Sequence, residues 1–91
     1  MVSRKIELKF PEGLHLRPAG RICEKAVSFS SRITIRMGSR EYNVKSVISM
    51  LSARIVSYTE AELICSGPDE ETALEEMARL LEGRNAEEDA L

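Results

Sequence analysis

The 91-residue chain has a single histidine, no tryptophan and only four aromatic side chains, two Tyr and two Phe. One histidine excludes a His-rich metal centre, and no Cys, His and Asp residues stand at ligand spacing, so no metal is expected. Cys23 and Cys65 form neither a CxxC nor a zinc spacing, and two thiols make a poor disulfide framework. Each reads as a small buried hydrophobe. A Cys–His nucleophile pair is not removed by counting, but nothing in the sequence places either thiol in an activating environment. No apolar run approaches the roughly 18–20 residues that span a bilayer, so membrane insertion is not expected. The first residues, Met1-Val2-Ser3-Arg4-Lys5-Ile6-Glu7, lack the apolar stretch of a signal peptide, and a cytoplasmic protein is the default expectation.

Apolar residues make up 43% of the chain and charged residues 31%, which suits a soluble globular core, and the length fits one domain and leaves little room for a second. The net charge of −2 conceals an asymmetry. Residues 1–54 carry 11 basic and 4 acidic side chains, net +7, whereas residues 55–91 carry 2 basic and 11 acidic, net −9. The expected domain covers residues 1–83. Residues 84–91 form a polar, acidic tail expected to fray.

Alternation of Ile6, Leu8 and Phe10 with charged neighbours predicts a half-buried strand over residues 3–9. Pro18, Ala19, Ile22, Cys23 and Ala26 recur at three and four residues, predicting an amphipathic helix that ends near Phe29. Ile33, Ile35 and Met37 alternate again, and Gly38-Ser39 suits a type II′ hairpin to a short return strand holding Tyr42 and Val44. Ser46 can cap a second, short helix over 47–53. A strand over 60–65 follows, with Ala61, Leu63 and Cys65 on one face. Asp69 is the expected cap of a last helix whose first turn carries Glu70 and Glu71. Leu74, Met77, Ala78 and Leu81 form its buried stripe, and Gly83 is its natural C′ residue. The order is β-α-β-β-α-β-α, and alternating strands need one wet face. The expected fold class is therefore α+β, with helices on one side of a mainly antiparallel sheet.

The only histidine stands in Glu12-Gly13-Leu14-His15-Leu16-Arg17-Pro18-Ala19, between a strand and a helix. A helix start offers unpaired N–H groups and about half a positive charge, which together suit phosphate. Arg17 adds a planar fork of donors for phosphate oxygens. Neutral imidazole is a competent nucleophile near neutral pH. Pro18 favours the first helical position, which would make Arg17 the cap and leave His15 just outside. From spacing alone, a loop histidine with no role is as good a reading as a phosphoryl acceptor.

Gly13-Leu14-His15-Leu16-Arg17-Pro18-Ala19 resembles the active-site motif of HPr, the histidine-containing phosphocarrier family of the bacterial sugar phosphotransferase system. Asn43-Val44-Lys45-Ser46-Val47-Ile48 resembles the family's second motif, and Gly67-Pro68-Asp69-Glu70-Glu71 its lead into the last helix. The resemblance implies an open-faced β-sandwich of four antiparallel strands with three helices on one face. It implies a carrier rather than an enzyme, with no cofactor. His15 would accept a phosphoryl group on Nδ1 from the phosphoenolpyruvate-dependent first enzyme and pass it to a sugar-specific acceptor component. Arg17 would stabilise the phosphohistidine and Pro18 would shape the helix start.

Ser46 reads from the sequence as a helix N-cap. The resemblance adds that the matching serine in part of the family is phosphorylated by a dedicated kinase, which implies a second function: a regulatory module controlled at Ser46 and binding a transcriptional regulator. The second helix holds more apolar residues than one short core-facing stripe needs. Ile48 is the expected exposed contact, with Leu16, Arg21, Lys45, Val47 and Leu51 completing the partner surface. Arg17, Arg21, Lys25, Lys45 and Arg54 are candidates for a basic rim around His15. This chain departs from the usual family pattern at Leu16, where a small residue is common, and at Ile48 and Ser49, where Met and Gly are frequent. Glu12 adds a carboxylate near His15. Nucleic acid is not an expected partner, because Phe10 and Phe29 belong to core patterns and only Tyr42 and Tyr58 remain for base stacking.

Overall fold

A computed structural model describes residues 1–10, 14, 16–55 and 59–83. Its elements are β1 (Val2–Leu8), α1 (Leu16–Val27), β2 (Arg32–Met37), β3 (Arg40–Asn43), α2 (Val47–Ser52), β4 (Thr59–Ser66) and α3 (Glu70–Leu81). The expected order therefore holds, with boundaries displaced by one or two residues. The strands form one sheet in the order β1-β4-β2-β3, and every neighbouring pair is antiparallel. The acidic tail expected over 84–91 lies outside the described residues.

Period-2 alternation decides which side of the sheet is dry. Ile6 and Leu8 of β1, Ile33 and Ile35 of β2, and Ala61, Leu63 and Cys65 of β4 are all buried. They face the apolar stripes of the helices: Ala19, Ile22, Cys23 and Ala26 of α1, Met50 of α2, and Leu74, Met77, Ala78 and Leu81 of α3. Phe10, Phe29 and Tyr42 are half-buried at the margin of this core. Val44 falls just past β3, yet it is fully buried and its amide reaches the Ile33 carbonyl at 3.0 Å, so the ladder continues beyond the strand's formal end.

The β2–β3 turn forms as expected. Met37 pairs with Arg40 across the two-residue link, and Gly38 has φ +63° whereas Ser39 does not have positive φ, the type II′ pattern. On the sheet's outer face the register lines up Lys5, Glu62, Arg36 and Glu41 in one row of alternating sign. Arg36 and Glu62 form an ion pair at 2.9 Å within it.

Three ion pairs join the two oppositely charged portions of the chain. Arg4 pairs with Glu75 at 3.2 Å, Lys25 with Glu76 at 2.6 Å, and Arg36 with Glu62 at 2.9 Å. Each joins a base from residues 1–54 to an acid from residues 55–91. These pairs are solvent-exposed, so each contributes at most about 1 kcal/mol. The first two seat acidic α3 against β1 and α1, and the third joins β2 to β4.

Asp69 departs from its expected role. It occupies the N-cap position of α3, but its side chain makes no cap hydrogen bond there. Its carboxylate instead accepts from the amides of Ser30 and Ser31, both at 2.9 Å, and from the Ser31 hydroxyl. Glu70 takes over at the helix start, where its Oε1 accepts from the Gly67 amide at 3.0 Å. These donors hold both carboxyls below the usual range. The Ser31 hydroxyl is the main cause for Asp69, and the Gly67 amide the main cause for Glu70.

Candidate functional site

His15 and its neighbour Glu12 lie outside the described residues. The chain on either side of His15 is well anchored. The Leu14 amide donates to the Ile55 carbonyl at 3.0 Å, and α1 begins at Leu16. This start corrects the expected cap. Arg17 is inside the first turn rather than at the cap, and Pro18 is the third helical residue. Proline is tolerated there because the first four amides of a helix have no acceptor within it. Ala19, directly after Pro18, is fully buried and fixes the helix on the core.

The first turn of α1 contains no acidic side chain, so nothing on the helix offsets its positive end. Arg17 is exposed, and its guanidinium makes no hydrogen bond or ion pair among the described residues. Leu16 is 68% exposed, unusual for a leucine. Arg21 follows in the second turn, also exposed.

Two of the lysines expected in a basic rim have partners of their own. Lys25 is turned towards α3 and paired with Glu76, because the last turn of α1 lies against that acidic helix. Lys45 reaches back to the end of α1, where its ammonium donates to the Phe29 carbonyl at 2.7 Å.

Ser46 caps α2 as expected. Its extended backbone (φ −116°, ψ 118°) lets Oγ accept from the Ser49 amide at 3.1 Å. The Ser49 hydroxyl in turn accepts from the Asn43 amide at 2.9 Å and ties α2 to the end of β3. Ile48 is 81% exposed and Met50 fully buried, while Val47 and Leu51 are half-buried against the core. Helix α2 packs on α1, so Leu16, Arg17 and Ile48 belong to one helix pair.

One feature of this region has no sequence signal. Arg54, after the Ala53 cap of α2, has φ +51° and is the only non-glycine with positive φ among the described residues. It immediately precedes Ile55, whose carbonyl holds Leu14.

The cysteines take no part. Both thiols are free and buried. Burial raises the Cys23 thiol above its ordinary range, and burial followed by the Glu70 and Asp69 charges pushes Cys65 up to about 11. Buried, protonated thiols are poor nucleophiles. Among the described residues, no group of three or more His, Cys, Asp or Glu side chains could hold a metal, and no helix is long and apolar enough to cross a membrane.

A four-stranded antiparallel sheet with three helices defines a small α+β domain, in which a histidine directly precedes in the chain a helix with no acidic side chain in its first turn. The family described as the PTS HPr component phosphorylation site matches residues 2–83, and the chain belongs to the HPr family. It is 35% identical over 78 residues to the HPr-like protein Crh of Bacillus subtilis, covering 86% of this chain and 92% of that protein. It is 31% identical over 81 residues to the phosphocarrier protein HPr of Haemophilus influenzae, covering 89% and 95% of the two chains. The crystal structure of HPr-C-His from Thermoanaerobacter tengcongensis superposes with a TM-score of 0.86 at 31% identity, over 94% of this chain and 97% of that one. The family is one of non-enzymatic carriers, and the fold is its open-faced sandwich.

Proposed function

We propose that the chain is a phosphoryl carrier with His15 as its acceptor. The observation that carries this reading is the unpaired Arg17 in an α1 first turn without acidic residues, directly after the histidine, in a chain whose HPr match spans residues 2–83. A neutral imidazole nitrogen attacks the phosphorus of the phosphorylated first enzyme. The P–N bond forms as the bond to the donor breaks, and the departing electron pair stays with the donor. The other ring nitrogen keeps its proton. Transfer to a sugar-specific acceptor component repeats the step with the roles exchanged. Arg17 binds the phosphoryl oxygens, and Pro18 holds the first turn in shape.

Leu16, Ile48 and the half-buried Val47 and Leu51 give the partners an apolar contact, and Arg21 and Lys45 contribute charge at its edge. The domain is residues 1–83 and it works in the cytoplasm, where phosphoenolpyruvate is available. The test is incubation with phosphoenolpyruvate and a first enzyme. One acid-labile phosphoryl group per chain is expected, and equal labelling of a His15→Ala variant would refute the assignment.

The similarity to the HPr-like protein Crh favours a second reading, in which phosphorylation of Ser46 by a kinase controls binding to a transcriptional regulator. Half-buried Ser46 caps α2 two residues before the exposed Ile48, so added charge there would alter the docking surface. An ATP-dependent, acid-stable label with no label from phosphoenolpyruvate would favour this reading over the carrier.

A further inference from the structure

A cleft of about 580 Å³ opens at the β3 edge of the sheet. It lies at the opposite end of α1 from Leu16, beside the Phe29 carbonyl that Lys45 holds. Its volume is in the range of small-molecule sites, roughly 300–1,000 Å³. Arg32, Thr34, Glu41, Asn43 and Lys45 supply its polar lining.

Thr34 is the unusual member. Its neighbours Ile33 and Ile35 are fully buried in the core, so the period of the strand sends Thr34 to the outer face of the sheet. There it is nonetheless only 8% exposed. Its backbone is placed between Asn43 and Ile64, and its hydroxyl makes no hydrogen bond among the described residues. A buried hydroxyl without a partner costs stability, and this one lines the cleft. What satisfies it must enter there.

The groups around Thr34 are donors, and two are charged. Arg32 stands two residues earlier on the same face of β2; its guanidinium makes no hydrogen bond or ion pair among the described residues. Asn43 is directly opposite Thr34 across the ladder. Its Oδ1 accepts from the Lys45 amide at 2.9 Å, which leaves its NH2 as a donor. The Lys45 ammonium spends one proton on the Phe29 carbonyl at 2.7 Å and keeps two. Glu41, two residues from Asn43 on the same face of β3, is the one carboxylate in the lining. The cleft is therefore cationic at one end, neutral and donating in the middle, and accepting at the other end.

We propose that this cleft binds a small phosphate monoester that carries hydroxyl groups. The phosphoryl oxygens meet Arg32 and Lys45 and accept from the Thr34 hydroxyl and the Asn43 amide, while a ligand hydroxyl donates to Glu41. Three phosphoryl oxygens can take this many donors, whereas a carboxylate offers two, and the planar fork of Arg32 suits them. Glu41 repels a second anionic group, so an ester with neutral hydroxyls fits better than a polyphosphate. Nothing in this site involves His15, so it stands apart from the carrier chemistry.

The experiment titrates the isotope-labelled full chain with glycerol 3-phosphate, inorganic phosphate and glycerol, following backbone amides by NMR. Glycerol 3-phosphate should give saturable shifts over residues 30–34 and 41–45 with a roughly millimolar Kd. Inorganic phosphate should bind more weakly at the same amides, and glycerol should shift none of them. Arg32→Ala should weaken glycerol 3-phosphate about tenfold or more, and Arg32→Lys less. Thr34→Val should weaken it about threefold to tenfold while leaving the urea midpoint unchanged or higher, because an unpartnered hydroxyl has been removed. A lower midpoint in Thr34→Val would show that the hydroxyl has a partner within the fold and would overturn the proposal. So would equal affinity for inorganic phosphate and glycerol 3-phosphate, or shifts that survive Arg32→Ala unchanged.

Discussion

The carboxylate of Asp69 holds Ser31 by two bonds, with Oδ1 accepting the backbone amide at 2.9 Å and also the side-chain hydroxyl. It joins the turn after α1 to the start of α3 across 38 positions of sequence. These donors favour the ionised acid and lower its pKa below the ordinary 3.8. A carboxyl depressed in the folded state adds stability that is complete above its unfolded value and disappears as pH falls through its folded value. The urea midpoint should therefore decline as pH drops below about 3.8, and Asp69→Ala should lower the midpoint at neutral pH. The gap between the two proteins should narrow as the acid limb is descended. Parallel pH profiles would remove this role for Asp69.

Ser31 is also the floor beneath Gly67. A Cβ built on Gly67 would lie 2.7 Å from the Ser31 Cα, a backbone atom that cannot step aside cheaply. Gly67→Ala should destabilise the fold by about 1–3 kcal/mol. Gly20 is the opposite case: a Cβ there meets nothing within 4 Å, and the residue sits inside α1. Gly20→Ala should stabilise by roughly 0.8–1 kcal/mol. Thermal unfolding of the pair should show shifts of opposite sign.

The same contrast separates what could be read from the sequence from what could not. Period-2 and period-3.6 patterns exposed the core residues Ile33, Leu63 and Met77 because burial in this fold follows local periodicity. Ser46 was legible as a cap because capping is local, and the side chain bonds three residues ahead. Asp69 was misplaced for a related reason. Its position satisfied the local rule for a cap, but Ser30 and Ser31, distant in sequence, supply better donors. The partner of Lys25 is on α3, so this ion pair is invisible to any local argument. The helix start at Leu16 was missed because proline is tolerated throughout the first turn, not only at its first position. Arg54 carries no residue signal for positive φ at all.

The Ser46 cap sets the stability of a helix only six residues long. Ser46→Ala leaves the Ser49 amide without its acceptor and should cost about 0.5–2 kcal/mol. Ser46→Asp keeps an acceptor at the same place and should recover most of that loss. Chemical denaturation of the three proteins checks the order.

On α2, Ile48 and Met50 should behave in opposite ways. Met50 is fully buried, and Met50→Ala should destabilise by about 2–5 kcal/mol. Ile48 is 81% exposed, so Ile48→Ala should change stability by no more than about 0.5 kcal/mol. If Ile48 docks the first enzyme, that variant should raise KM in phosphoryl transfer while leaving kcat largely intact. Unchanged kinetics would take Ile48 out of the docking surface.

The carrier chemistry rests on one histidine, and the most direct measurement is the position and chemistry of the phosphate. The protein is incubated with phosphoenolpyruvate and the first enzyme of a phosphotransferase system, and the label is mapped by peptide mass spectrometry before and after acid treatment. We predict a single phosphoryl group on His15, lost in acid and absent from His15→Ala. A label confined to Ser46, stable in acid and supplied only by ATP, would contradict the carrier and leave a regulatory protein in its place.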